Sequence, residues 1–149
     1  MQWHNQTFQE LENLQLYRLL QLRSQVFVVE QNCVFLDLDD NDQQARHLFY
    51  GDSRQTAAYA RLLRTPDNPI APAAIGRIVV TPEHRGRGLA AEALRRGTDY
   101  IFQEWQCGSI YLQAQSYLLP FYQSFGYETV SDEYLEDGIP HIGMRLQRR

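Results

Sequence analysis

The chain has 149 residues, 44% of them hydrophobic and 21% charged, with a formal net charge of −4, which fits a single domain over 1–149 that buries roughly 70% of its unfolded surface without disulfide or metal staples. The negative balance speaks against nucleic acid as a main partner, and no apolar run approaches the ~20 residues of a membrane span. Cys33 and Cys107 lie far apart in no ligand-like spacing, and Met1-Gln-Trp-His-Asn-Gln lacks a basic-then-apolar targeting pattern, so we expect reduced thiols, no metal and a cytoplasmic chain.

Trp3 to Phe8 reads as a first edge strand, because Trp3, Thr7 and Phe8 favour extended backbone. Leu11 to about Val29 reads as helix: Leu11, Leu14, Leu16, Leu19, Leu20 and Leu22 recur at helical spacing, and Phe27 and Val28 extend the apolar face. Arg23 and Glu30 fall seven apart, so a continuous helix puts them on one face, as a solvated ion pair or as functional groups. Asp37-Leu-Asp39-Asp40-Asn41-Asp42 begins like a calcium loop, but Asp42 stands where Gly is needed and Leu48 where Glu is needed, so calcium is rejected. Two readings stay open for that run: a solvated loop, or an acidic rim that draws a cationic amine to a cleft.

His47-Leu-Phe-Tyr50 and Thr56 to Leu63 read as two strands joined by the turn Gly51-Asp52-Ser53-Arg54. Thr65 to Pro72 holds three prolines in eight residues and reads as an irregular loop. Ala73 to Val80 is the central strand, and Gly88 to Trp105 the longest helix, with Leu89, Ala93, Leu94, Ile101 and Phe102 facing the core. Gln106-Cys-Gly108 ends it. Ile110 to Ala114 is a strand. Leu118 to Phe125 is a short helix, with Pro120 tolerated in its first turn and Gly126 as its cap. Tyr127 to Val130 and Ile142 to Leu146 close the sheet as antiparallel strands around Asp137-Gly138. The order predicts an α/β (mixed α+β) domain: a central, mostly antiparallel mixed sheet with helices on both faces.

The most informative stretch is Ile75-Gly-Arg-Ile-Val-Val-Thr-Pro-Glu-His-Arg-Gly-Arg-Gly-Leu-Ala90. It starts as a β-branched strand, stops at Thr81-Pro82, and ends as a helix start. Between them, Gly86 and Gly88 leave backbone N–H groups open, the helix N-terminus adds partial positive charge, and Arg85 and Arg87 add full charges. That combination suits a pyrophosphate. Gly86-x-Gly88-x-x-Ala91 also fits a dinucleotide fingerprint, but the strand Ser109 to Gln115 lacks the acidic residue that holds a ribose.

Arg85-x-x-Gly88-x-Ala90 after a hydrophobic strand resembles the acetyl-CoA pyrophosphate loop of the GNAT superfamily of N-acetyltransferases. Phe121-Tyr122-Gln-Ser-Phe-Gly126-Tyr127 resembles the later helix of that family. Leu22-Arg23-Ser-Gln-Val-Phe-Val-Val-Glu30-Gln31-Asn-Cys33 and Tyr134 to Met144 resemble its ElaA-type branch. The resemblance implies a GNAT-type acyl-CoA N-acyltransferase fold in which the central strand and its neighbour at Ile110 splay apart. It implies that Ile78, Val79 and Val80 offer backbone groups to pantetheine amides, and that Arg85, Gly86, Arg87, Gly88, Leu89 and Ala90 hold the pyrophosphate of acetyl-CoA. Tyr122 matches the position that protonates the departing thiolate; the bottom-up alternative is a half-buried core tyrosine. Gln115 stands where many relatives carry an Asn that touches the cofactor. Glu30 is expected at the substrate side, with Arg23, His47 and His141 as acceptor-site candidates.

The implied activity is transfer of an acetyl group from acetyl-CoA, as co-substrate, to a primary amine of a small molecule or peptide, by direct attack in a ternary complex. The attacking amine must shed a proton; Glu30, His47, the Asp39–Asp40 pair, His141 and bulk water all stay open as its acceptor. The alternatives are another acyl-CoA donor, and a catalytically silent CoA-binding regulatory module of the same fold. Oligomeric state is left open, a homodimer included.

Overall fold

The structure, a computed structural model, describes residues 1–149. Eight strands form one sheet: β1 (Gln2–Thr7), β2 (Arg46–Gly51), β3 (Thr56–Arg64), β4 (Ala73–Val80), β5 (Ser109–Gln115), β6 (Glu128–Thr129), β7 (Tyr134–Glu136) and β8 (Ile139–Gln147). Their spatial order is β1-β2-β3-β4-β5-β8-β6, with β7 also pairing β8. Every neighbouring pair is antiparallel except β4–β5.

Successive residues of a strand point to opposite faces, and this divides the core in two. On one face, α1 (Asn13–Arg23) and the segment after it bury Leu19, Leu22 and Val26 against Phe49, Tyr59 and Val79. On the other, α2 (Leu89–Gln103) buries Ala93, Leu94 and Ile101 against Leu48, Ala60, Leu62 and Ile75. Gly97 lets α2 settle: a Cβ there would lie 2.9 Å from Leu62 Cδ2 and 3.2 Å from Ile75 Cδ1.

β4 is not regular. Tyr59 pairs Val79 while Arg61 pairs Gly76, so Arg77 and Ile78 together oppose Ala60. Arg77 takes φ 53°, a left-handed conformation that non-glycine residues seldom adopt. The bulge inverts the side-chain alternation: Ile75 and Ile78 both reach the α2 core, and Val79 reaches the α1 core. A bulge also bends its strand, and β4 shares a single register pair with β5, Ala74 with Tyr111. Beyond that pair the two strands part, as the resemblance implies.

The long helix read from Leu11 to Val29 is two pieces. After Arg23 the winding widens into a π-helix, Ser24–Glu30, with Gln31 N–H donating to Val26 C=O at 3.1 Å and Cys33 N–H to Val28 C=O at 3.0 Å. Val26, Val28 and Val29 are β-branched and crowd a tight α-turn; π-turns concentrate at functional sites. The strand read over Tyr127 to Val130 shrinks to β6. β7 is an additional strand, hairpinned to β8 through Asp137-Gly138, whose φ values of 53° and 78° are those of a two-residue type I′ turn. α3 spans Leu119–Gln123.

Candidate active site

Where β4 and β5 separate, a cleft of about 840 Å³ opens, lined among others by Ile78, Val79, Val80, Arg85, Ala90, Gln115, Tyr122 and His141. At one end the chain leaves β4, is tied by Thr81 N–H to Ala57 C=O at 2.8 Å and by His84 N–H to Thr81 C=O at 3.0 Å, and enters α2. Gly86 and Gly88 sit at φ 79° and 76°, where a side chain is strained, and no atom lies within 4 Å of a Cβ at either. The backbone N–H groups of Gly86, Arg87, Gly88, Leu89 and Ala90 donate no hydrogen bond within the protein. Five bare donors at the start of a 15-residue helix are suited to cradle an anion.

Arg85 connects this cradle to the opposite wall. Its Nε donates to Val80 C=O at 3.2 Å and its Nη2 to Glu30 Oε2 at 2.7 Å. The next residue, Gln31, accepts a long hydrogen bond of 3.5 Å from Gln115 Nε2 on β5. The end of the π-helix therefore touches both arms of the split. The predicted Arg23–Glu30 pairing does not form, because the wider winding carries Glu30 off the face of Arg23 and towards Arg85.

Tyr122 is nearly buried, edge-on to Phe121 and Tyr127 with ring centroids at 5.1 and 6.2 Å. Burial, with the neighbouring Tyr117, pushes its phenol up to about 12. His141, the register partner of Gln115, places Nδ1 2.7 Å from Ile139 C=O. A carbonyl only accepts, so Nδ1 carries a proton, and Nε2 is the nitrogen at which the neutral ring can accept one. Its ring stacks on Tyr134 at 6.1 Å.

The wall built on Asp37 to Asp42 is made differently. Arg23 Nε meets Asp37 Oδ2 at 2.7 Å and its Nη1 meets Asp42 Oδ1 at 2.7 Å. Arg61 contacts Asp39 Oδ2 at 2.7 Å and Asp42 Oδ1 at 3.1 Å. Arg77 Nε meets Asp37 Oδ1 at 2.8 Å, and Nη2 reaches Asp39 Oδ2 at 3.4 Å. Burial pushes the Asp42 and Asp39 carboxyls up, but the arginine hydrogen bonds and charges outweigh it and hold both below the ordinary aspartate range.

Arg23 and His47 are 0% exposed, so neither touches an acceptor in this conformation; they brace the wall. His47 Nε2 lies 2.9 Å from Asp42 C=O and must be the donor there, so its Nδ1 accepts from Tyr59 Oη at 2.7 Å. Burial lowers the His47 pKa and keeps the ring neutral. The run Asp37 to Asp42 is a loop exposed from Leu38 to Asn41, but not a free acidic rim, since Asp37, Asp39 and Asp42 all carry arginine partners. Arg61 and Arg77 went unnoticed in the sequence. A signal for Arg61 existed: a lone charge inside Thr56-Ala-Ala-Tyr-Ala-Arg-Leu-Leu63 needs a buried acid as partner.

A mixed sheet split at its one parallel pair, with a glycine loop feeding a helix beside the split, defines the acyl-CoA N-acyltransferase class of fold. The sequence profile of the acetyltransferase (GNAT) domain matches residues 19–148, and the chain belongs to that family. It is 41% identical over 146 residues to Protein ElaA of Escherichia coli (strain K12), covering 97% of this chain and 95% of that protein. The crystal structure of Escherichia coli ElaA superimposes with a TM-score of 0.88 over 97% of each chain. An acyl-CoA N-acyltransferase from Pseudomonas aeruginosa matches with a TM-score of 0.89 at 36% identity, over 97% of this chain and 99% of that one. Family membership carries acyl transfer from CoA to an acceptor. No helix is long and apolar enough to cross a membrane, and no group of three or more His, Cys, Asp or Glu side chains could hold a metal ion.

Proposed function

We propose that this chain is an N-acetyltransferase that moves an acetyl group from acetyl-CoA to a primary amine by direct attack in a ternary complex. The observation that carries this reading is the row of five unused N–H groups from Gly86 to Ala90, beside Arg85 and at the mouth of the split sheet. Phosphate oxygens satisfy such donors. The edge of β4 at Ile78, Val79 and Val80, which β5 does not cover, offers peptide groups to the amides of a pantetheine arm.

Acetyl-CoA, when bound, supplies a thioester whose thiol leaves readily. Tyr122 faces the cleft from α3 and donates a hydrogen bond to the departing sulfur. A phenol near 12 is a far weaker acid than a thiol near 8.5, so the hydroxyl supports the developing charge and gives up its proton late, if at all. Its contribution therefore belongs at the low end of general acid catalysis. Of the candidate bases, His141 alone presents a free ring nitrogen in the cleft, and it receives the amine proton at Nε2. Glu30 is held in its pair with Arg85, restrains that side chain, and is not the base.

The test is thiol release from acetyl-CoA with a panel of primary amines, with the acetylated product confirmed by mass spectrometry. The chain contains no lysine, all 14 basic residues being arginine, so its own side chains add no competing acceptor amine. Release that follows the amine supports the reading. Tight acetyl-CoA binding with no amine-dependent release would make the chain a silent CoA-binding module, and faster release from a longer acyl-CoA would reassign the donor.

A further inference from the structure

The acceptor entrance carries apolar surface that the fold leaves uncovered. Val34, Leu36 and Leu135 are 86%, 82% and 72% exposed, and Phe35 is more than half exposed; Phe35 and Leu36 line the cleft. The segment is pinned at both ends. Cys33 N–H donates to Val28 C=O at 3.0 Å, Cys33 Sγ lies 3.5 Å from the Asp137 carbonyl on the β7–β8 turn, and Asp37 is clamped by Arg23 and Arg77 at 2.7 and 2.8 Å. Three consecutive apolar side chains are thus held out in water, where such a run marks a binding surface. Leu135 stands on β7, the strand that leads into the turn Cys33 touches.

Charge narrows the occupant. Five acidic residues line the cleft: Glu30, Asp37, Asp39, Glu136 and Asp137. The first three are paired with arginine at 2.7–2.8 Å. Glu136 and Asp137, on the β7–β8 turn, form no salt bridge and are exposed. A polycation would find two free carboxylates at the rim and none deeper. A single ammonium is matched by that pair, and an apolar body joined to it is matched by the collar.

Resting on the acyl-transfer reading above, we propose that the acceptor is a single primary amine attached to an apolar body. Glu136 and Asp137 attract its ammonium, and Val34, Leu36 and Leu135 cover its apolar part; a polyamine, which has no apolar body for the collar, binds more weakly.

The experiment is calorimetric titration of the CoA-saturated chain with butylamine, hexylamine, octylamine and spermidine, alongside thiol release from acetyl-CoA. A fully buried methylene is worth about fourfold in affinity, so a partly covered one should give about twofold per methylene along the alkylamine series, and octylamine should bind at least about tenfold tighter than spermidine. The combined variant Val34→Ser, Leu36→Ser, Leu135→Ser should flatten the series and leave the acetyl-CoA Kd unchanged; side chains this exposed are not needed for folding. Tighter binding of Leu-Gly-Gly than of Ser-Gly-Gly would support the same contact with a peptide terminus as its source, and a gain with alkylamines alone would support a free amine. A flat series in the wild type, or a preference for spermidine, overturns the proposal. So does a dimer in sedimentation that the triple variant dissolves, because the collar would then be an interface between copies. If no amine releases thiol while the series still climbs in binding, the transfer reading fails and the apolar-amine site stands.

Discussion

The two walls of the cleft are made by opposite means. The wall we assign to the donor is backbone: bare N–H groups from Gly86 to Ala90, contributed by one stretch of chain and one helix start. The wall we assign to the acceptor is side chain: Arg23, Arg61 and Arg77 interlocked with Asp37, Asp39 and Asp42, brought together from α1, β3, β4 and the loop after the π-helix. On the first, charge is left open for a ligand. On the second, charge is cancelled internally and holds the loop in place. Ionised residues beside a cleft that are paired with one another are thus no guide to the charge of its substrate, whereas unpaired ones are.

The strongest test of this contrast removes the centre of the acceptor wall. Asp42→Asn leaves Arg23 and Arg61, both almost fully buried, short of one carboxylate. Breaking a buried pair from one side costs about 3–5 kcal/mol, so chemical denaturation should show a loss of that order; an unchanged midpoint would mean the wall is redundant. The same network sets an acid limit. The folded-state carboxyls of Asp39 and Asp42 lie below the unfolded value of 3.8, so their stabilisation is complete above that pH and is lost as the pH falls below it towards the folded-state values. In Asp42→Asn the acid limb of the stability curve should flatten.

Next in size is Gly88→Asp on the donor wall. No atom lies near its Cβ and Asp tolerates positive φ better than most residues, so the fold should persist. The carboxylate repels phosphate, and acetyl-CoA affinity should fall at least about 100-fold by calorimetry, roughly 2.7 kcal/mol. Gly88→Asn, uncharged, should fall much less; equal losses would assign the effect to backbone strain.

Tyr122→Phe keeps the ring contacts with Phe121 and Tyr127 and loses the hydroxyl. Turnover should drop about tenfold with acetyl-CoA affinity and Tm nearly unchanged, and the defect should shrink with a more acidic leaving thiol. Wild-type kcat would return Tyr122 to the core.

The smallest effect belongs to Glu30→Gln, which severs the link between the walls. Glu30 and Arg85 are 39% and 46% exposed, and exposed pairs contribute about 0–1 kcal/mol. With the carboxylate gone, Arg85 is freed for phosphate, so acetyl-CoA should bind up to about fivefold tighter, less so at high salt. Weaker binding would show that Glu30 shapes the loop.

The donor wall was readable because its signals are local. Ile75 to Ala90 contains the strand, the glycines and the helix start in one stretch, and backbone geometry follows from residue type within it. The acceptor wall was not, because its partners are 14 to 40 residues apart in sequence and nothing within Asp37 to Asp42 names an arginine. His47 looked available for chemistry, yet Tyr59 and the Asp42 carbonyl take both ring nitrogens. The π-turn after Arg23 escaped helical periodicity, which carries no sign of a widened turn, and three-residue β7 is too short to alternate.

The bulge in β4 lies just past its single pair with β5, Ala74 with Tyr111. Arg77 is the surplus member of β4, and without it Ile78 would follow Gly76 and still share the face of Ile75, with Val79 still opposite. A chain lacking Arg77 would therefore keep its core pattern and gain an unbroken ladder from β3, at the loss of the ion pairs to Asp37 and Asp39. A straighter β4 would also run on beside β5 past Ala74. Such a deletion variant should fold with its two strands zipped together and show no acyl-CoA binding by calorimetry; retained binding would mean that the opening does not depend on the extra residue.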